Sequence, residues 1–153
     1  ATVSEELRHL KNYLFVMNVR TQNGLHLTLD IPQEVLEARV PRLSLQPLVE
    51  NAVNHGLRNK RGEKRIALKA QCAQDRLLIT VEDNGVGMDE ATIASALTYD
   101  PDSILVSRSI GLRNINARVK LLFGEKYGLN IESRMGEGCR VTLCIPRKGD
   151  EHA

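Results

Sequence analysis

The sequence predicts an α/β two-layer sandwich of the α+β kind, a mixed sheet with its helices on one face. Three observations carry that prediction. Stretches in which apolar and polar residues alternate mark strands. Stretches with apolar residues every three or four positions mark helices. Their order is helix, strand, helix, hairpin, irregular segment, helix, hairpin, which makes an antiparallel or mixed sheet with helices on one side.

From Val3 to Met17 the apolar positions Val3, Leu7, Leu10, Leu14 and Met17 are spaced four, three, four, three, as on the seam of a heptad helix. Thr2 and Glu5 supply a capping box for its start. This helix either packs on its own domain or belongs to a dimerisation helix. Leu25, Leu27, Leu29 and Ile31 alternate with His26, Thr28 and Asp30, the pattern of a half-buried strand that ends at Pro32. A second helix is predicted from about Leu45 to Leu57, with Ser44 as N-cap and Pro47 tolerated in the first turn. The hairpin Arg65 to Ala73 and Arg76 to Asp83 turns at Gln74 and Asp75. Patterning then lapses over residues 84–109, apart from a short helix near Glu90 to Leu97, and so long an irregular stretch suggests a lid. A helix from about Gly111 to Phe123, ended by Gly124, precedes strands at Leu129 to Arg134 and Cys139 to Ile145 around a turn at Met135 to Gly138.

At 153 residues, 42% hydrophobic and 26% charged, the chain has the size and composition of one folded domain. A net charge of +2, from 21 basic and 19 acidic residues, provides no domain-wide field for a nucleic-acid backbone, so no nucleic-acid partner is expected. Cys72, Cys139 and Cys144 lack the spacing of a zinc site or a disulfide framework, which fits a reducing, cytoplasmic setting. No apolar run reaches the ~20 residues of a membrane helix.

Three segments carry candidate chemistry. On the second helix, Asn51, Asn54 and His55 are expected to project together, and the Asn51 carbonyl oxygen suits magnesium, which takes hard oxygen ligands and few protein groups. Taken alone, such an asparagine reads as a solvated surface residue. Next, Asp83-Asn84-Gly85-Val86-Gly87 follows a strand whose Leu77, Ile79 and Val81 share a face. An ionised aspartate there accepts from an exocyclic amine, and the glycines let backbone approach a flat ligand; taken alone, it is a turn. The third segment, Ser109-Ile110-Gly111-Leu112-Arg113-Asn114, places backbone N–H groups at a helix start, an anion site for phosphates, with Arg108 and Arg113 flanking it. The basic run Arg58, Lys60, Arg61, Lys64 and Arg65 reads as a solvated loop. No GxGxxG or Walker A motif is present.

In this order the three segments resemble the N, G1 and G2 boxes of the GHKL superfamily, which includes gyrase and the histidine kinases. The run from Leu45 through Gly56, LQPLVENAVNHG, and the GLRN segment with Arg118, Leu121, Leu122 and Gly124 look like the LytS-like sensor histidine kinases. The resemblance implies a Bergerat ATP-binding fold over residues 22–148, preceded at 1–21 by the end of a dimerisation-type helix region and followed by a tail at 149–153. It implies Asn51 on magnesium, Asp83 on the adenine amino group, Gly85 and Gly87 beside the base, and Gly111 at the phosphates of ATP. Asn54, His55, Met88, Arg108, Leu112 and Arg113 join them as cofactor-binding candidates.

Departures from the family pattern are informative. ATP-hydrolysing relatives carry a glutamate one turn before the magnesium asparagine, where this chain has Pro47; Glu50 is adjacent to Asn51, about 100° around the helix, and is expected on the polar face behind the metal ligand. Relatives often carry threonine where this chain has Cys139, and Thr142 is the candidate to contact adenine instead. No PHFLFN-like motif surrounds His9, His26, His55 or His152. The resemblance thus implies the catalytic half of a cytoplasmic kinase domain from a membrane-attached parent, with ATP or ADP, magnesium, the histidine-bearing dimerisation helix and a response regulator as partners, and a homodimeric parent. A GHL-type ATPase, an anti-sigma-type kinase and a non-catalytic nucleotide sensor are the alternatives.

Overall fold

The computed structural model describes residues 1–20, 24–57, 62–98 and 110–147. It contains α1 (Val3–Arg20), β1 (Leu25–Asp30), a short 3-10 turn (Gln33–Val35), α2 (Gln46–Asn51) running on into π-helical turns (Ala52–Gly56), β2 (Lys64–Ala73), β3 (Arg76–Asp83), α3 (Glu90–Leu97), α4 (Ile110–Phe123), β4 (Gly128–Arg134) and β5 (Gly138–Pro146). The five strands form one mixed sheet ordered β1-β2-β3-β5-β4, in which β1 and β2 are parallel and the other pairs antiparallel.

Alternation decides the two faces. Ile66 and Leu68 of β2, Leu77, Ile79 and Val81 of β3, and Val141, Leu143 and Ile145 of β5 are buried on one face. The helices cover that face: α4 lies over β4 and β5, and the π-helical turns over β3 and β5. The other face is polar, with Thr80 opposite Thr142 in register and Glu82 opposite Arg140 at 3.0 Å. Strand β1 behaves differently from its sequence pattern. Leu25 is buried, but Leu27 and Leu29 are 36% and 42% exposed, because this edge strand extends beyond the helical cover.

The seam of α1 is spent on this domain: Val3, Leu7, Leu10 and Leu14 are buried in its core, and Met17 packs against them. Thr2 Oγ1 accepts the Glu5 N–H at 3.2 Å, as an N-cap does. Two polar contacts tie α1 to α2. The buried Glu6 carboxylate accepts the Ser44 N–H at 3.0 Å just before α2, and the Tyr13 hydroxyl hydrogen-bonds the Asn54 side chain beside Glu50. Burial, then the Glu50 carboxylate, raises the Tyr13 hydroxyl above its ordinary pKa.

Ser44 is not the expected N-cap. Leu45 takes that position without a side-chain cap, while Ser44 is fully buried, with its hydroxyl unpaired among the described residues. Capping of α3 is conventional: Asp89 Oδ1 accepts the Thr92 N–H at 2.8 Å.

Candidate functional site

Asn51 is the last residue of α2 before the helix widens into π-helical turns, a distortion frequent at functional sites. It is only 5% exposed, so it is not a solvated surface amide, and its buried Oδ1 has no hydrogen-bond partner among the described residues. Leaving such an oxygen unsatisfied costs about 1–3 kcal/mol. The atom is an acceptor held open for a donor or a cation. Asn54 does not join it. The wider turns carry Asn54 to the α1 side, where it is exposed and bonded to Tyr13. Glu50 accepts a hydrogen bond from Gln46 Nε2 at 2.8 Å, on the side where Tyr13 lies. The backbone of His55 belongs to the π-helical turns; its side chain lies outside the described residues, as do Arg108 and the Arg58–Arg61 stretch.

Pro47, one turn before Asn51, has a packing role. A Cβ on Gly111 would stand 3.2 Å from Pro47 Cβ, a tight contact, so glycine at the start of α4 suits its close packing on α2. The first N–H groups of the 14-residue α4 have no intrahelical partners and carry the positive end of the helix dipole. Leu112 is buried in the core and offers only its backbone to this helix end. Arg113 is 7% exposed and its buried Nε has no partner among the described residues, so a cation stands within the first turn of the same helix.

Asp83 ends β3. Its Oδ1 accepts the Gly85 N–H at 2.8 Å, and its carboxylate also receives the backbone N–H of Cys139. Burial pushes its pKa up to about 6, against the opposing effect of the two N–H groups, so it is ionised at neutral pH and protonated in mild acid. Opposite it, Cys139 is buried and its thiol is pushed up to about 11, first by burial and then by the Asp83 charge, with Ser133 as a hydrogen-bond partner. This thiol is protonated across the physiological range.

The loop after Asp83 is held along its length. Asn84 accepts the Arg65 N–H at 2.8 Å and donates to the Glu63 carbonyl at 2.9 Å. Val86 O accepts Gly136 N–H at 2.7 Å, and Ser133 Oγ accepts Met88 N–H at 2.8 Å. Gly87 (φ +77°) packs its Cα onto the Arg134 carbonyl and Gly138 (φ +94°) packs onto that of Asp83; a Cβ at either would collide with those oxygens. Gly85 is buried beside Asp83, and the Met88 side chain packs half-buried on the core.

Thr142 requires a correction. Strand parity puts it on the polar face away from the helices, with Oγ1 3.2 Å from Thr80 Oγ1, whereas Cys139 stands on the helical face beside Asp83. Cys139, not Thr142, therefore walls the Asp83 site.

A depression of about 510 Å³ borders Asp83, Ile93 and Cys139, but neither Asn51 nor Gly111 lines it. Its charged lining is mainly acidic, with Glu82, Glu90, Glu132 and Glu137 against Arg134 and Arg140, and so repels phosphates. The phosphate-compatible groups are those of α4. Ser133, Gly138 and Tyr13 were not singled out from the sequence. The first two had a weak signal in the serine and glycines around the final turn; Tyr13 had none, because its partner is on another helix.

Residues 36–149 match the histidine kinase-, DNA gyrase B-, and HSP90-like ATPase family. The chain belongs to that family. It is 38% identical over 149 residues to the sensor histidine kinase YesM of Bacillus subtilis, covering 97% of this chain and 24% of that protein. It is 31% identical over 153 residues to the sensor protein LytS of Staphylococcus epidermidis, covering 99% of this chain and 26% of the relative. The chain thus spans about a quarter of the length of these relatives. The fold is that of the solved catalytic domain of histidine kinase ThkA, with a TM-score of 0.70, 16% identity and 96% of each chain covered.

Proposed function

We propose that this chain is the ATP-binding catalytic part of a two-component sensor histidine kinase, transferring the γ-phosphoryl of ATP to a histidine on a helix of the parent protein outside residues 1–153. The observation that carries the reading is the buried Oδ1 of Asn51, unpartnered among the described residues, on the fold of an ATPase family. Kinship with sensor kinases such as YesM and LytS supports the choice of acceptor.

Each residue has a defined task. Asp83, ionised at neutral pH, accepts from the exocyclic amine of adenine while its other bonds to Gly85 and Cys139 hold it in place. The α4 start and Arg113 take the phosphates through N–H groups and charge. Asn51 Oδ1 fits magnesium as a hard neutral oxygen. Bound there, magnesium would neutralise phosphate charge, with nucleotide and water completing its shell.

In the transfer the bond from the γ-phosphorus to the β–γ bridging oxygen breaks, a nitrogen–phosphorus bond forms on the acceptor imidazole, ADP leaves and the imidazole loses its proton to solvent. The chain's contribution is position and electrostatics. Pro47 occupies the place of a water-activating carboxylate, which favours transfer over hydrolysis. A response regulator as next acceptor and a homodimeric parent follow from the kinase reading. So does attachment of the parent to a membrane, although no helix among the described residues is long and apolar enough to cross one.

The test is incubation with γ-labelled ATP, with and without the histidine-bearing segment of the parent added in trans. Acid-labile label on that segment alone, with little free phosphate, is the expected result. Label on the isolated chain would contradict the division of roles, and rapid phosphate release without transfer would favour an ATPase.

A further inference from the structure

We propose that Ser133 is the positioning residue of the base-reading site, its hydroxyl latching the loop after Asp83 onto the β4–β5 hairpin. The proposal rests on the nucleotide-binding reading of Asp83. A hydroxyl offers one hydrogen to donate and two lone pairs to accept. Ser133 uses its hydrogen and one lone pair within the fold. Its Oγ donates to the Gly138 carbonyl at 2.6 Å and accepts the Met88 N–H at 2.8 Å, with the Cys139 thiol beside it. Its only hydrogen is committed to Gly138, so its effect comes through these partners.

Those partners lie on both sides of Asp83. Met88 closes the loop Asn84–Met88 that follows the aspartate. On the opposite strand, Gly138 lies against the Asp83 carbonyl and Cys139 donates its N–H to the Asp83 carboxylate. One side-chain atom thus fixes the distance between the loop and the strand that together orient the carboxylate. Among the described residues the only other hydrogen bond between loop and hairpin is the backbone contact from Gly136 N–H to Val86 O, which no side-chain change removes. Asn84 ties the same loop to the β2 side; Ser133 is therefore the side chain that sets the loop against the β4–β5 hairpin, while the phosphate groups on α4 lie on a separate element.

This separation makes the test. Calorimetry with ATP and with tripolyphosphate, a probe carrying phosphates and no base, is run on the wild type, Ser133→Ala and Ser133→Thr. Losing a part-buried hydroxyl that joins loop to hairpin through two hydrogen bonds should weaken ATP binding roughly tenfold in Ser133→Ala. Tripolyphosphate binding should be unchanged, and Ser133→Thr, which restores the hydroxyl, should recover most of the ATP affinity. Unchanged ATP affinity in Ser133→Ala, or an equal loss for both ligands, would overturn the proposal. Hydrogen exchange on the unliganded wild type guards against a variant that does not fold: the Met88 amide should be protected well beyond the neighbouring loop amides, and free exchange there would overturn the latch. A wild type that protects Met88 but binds no ATP would instead overturn the reading of Asp83 as a base reader, and the positioning role with it.

Discussion

Replacing Asp83 with asparagine should stabilise the protein while damaging its function, and the size of the gain can be worked from the site. Burial raises the Asp83 carboxyl from 3.8 to about 6, so the folded state holds its proton more tightly than the unfolded chain does. The sign follows from linkage. Between about pH 4 and 6 the unfolded chain has released this proton and the folded chain has not, so the contribution of Asp83 to stability falls as pH rises and levels off above about 6. Two pH units at about 1.4 kcal/mol each set an upper limit near 3 kcal/mol for the cost of keeping the carboxylate ionised in the fold. Partial exposure of the group to solvent, and the poorer match of an amide to the Gly85 and Cys139 N–H groups, reduce the expected gain to about 1–2 kcal/mol. For a domain of this size that is a rise in Tm of roughly 3–6 °C. Differential scanning calorimetry of wild type and Asp83→Asn at pH 7.5 and pH 4 checks it. The variant should melt higher at pH 7.5, the gap should close at pH 4, and its ATP affinity should fall at least tenfold. A variant that melts lower at pH 7.5, or an equal gap at both pH values, would refute the argument that Asp83 is held ionised against the preference of the fold.

Other expectations follow from the same geometry. ATP affinity of the wild type should drop about tenfold between pH 7.5 and pH 5, as protonation removes the Asp83 acceptor; titration calorimetry at the two pH values measures it, and Asp83→Asn should lack this step. Glu6→Ala should lower stability by about 1–3 kcal/mol in urea denaturation, because it orphans the buried Ser44 N–H, and Glu6→Gln should retain most of it. Gly138→Ala should abolish nucleotide binding and lower Tm by several degrees, since a Cβ at φ +94° meets the Asp83 carbonyl; an unchanged Tm would show that the hairpin yields. Gly111→Val should separate α4 from Pro47 and weaken tripolyphosphate and ATP binding alike, as read by calorimetry.

Most of the fold was legible because its strands are half-buried and its helices amphipathic. Leu77, Ile79 and Val81 announce β3 and its buried face, and Gly124 ends α4 at φ +107°. The same alternation, applied to Val141, Leu143 and Ile145, puts Thr142 on the far side of the sheet from Asp83. Other features depended on partners distant in sequence. The alternating leucines of β1 suggested burial, but the strand stands at an edge the helices do not reach. Ser44 has the chemistry of an N-cap, yet its hydroxyl is buried without making a cap bond, one residue before the cap position, where its N–H is held by Glu6, 38 residues away. Regular helical spacing placed Asn54 beside Asn51, and no local signal marked the π-helical turns that send it to Tyr13. Asn51 and Asp83 were identifiable by type and order, whereas the burial that makes one an open acceptor and the other a perturbed acid arises only from packing.

The most direct test of the central claim is titration calorimetry of ATP, with and without magnesium, on the wild type and Asn51→Ala. The account predicts tight binding by the wild type that strengthens with magnesium, and a magnesium effect that is lost in Asn51→Ala while metal-free binding persists. Equal magnesium dependence in the two proteins would contradict the assignment of the Asn51 oxygen, and an absence of ATP binding by the wild type would contradict the account as a whole.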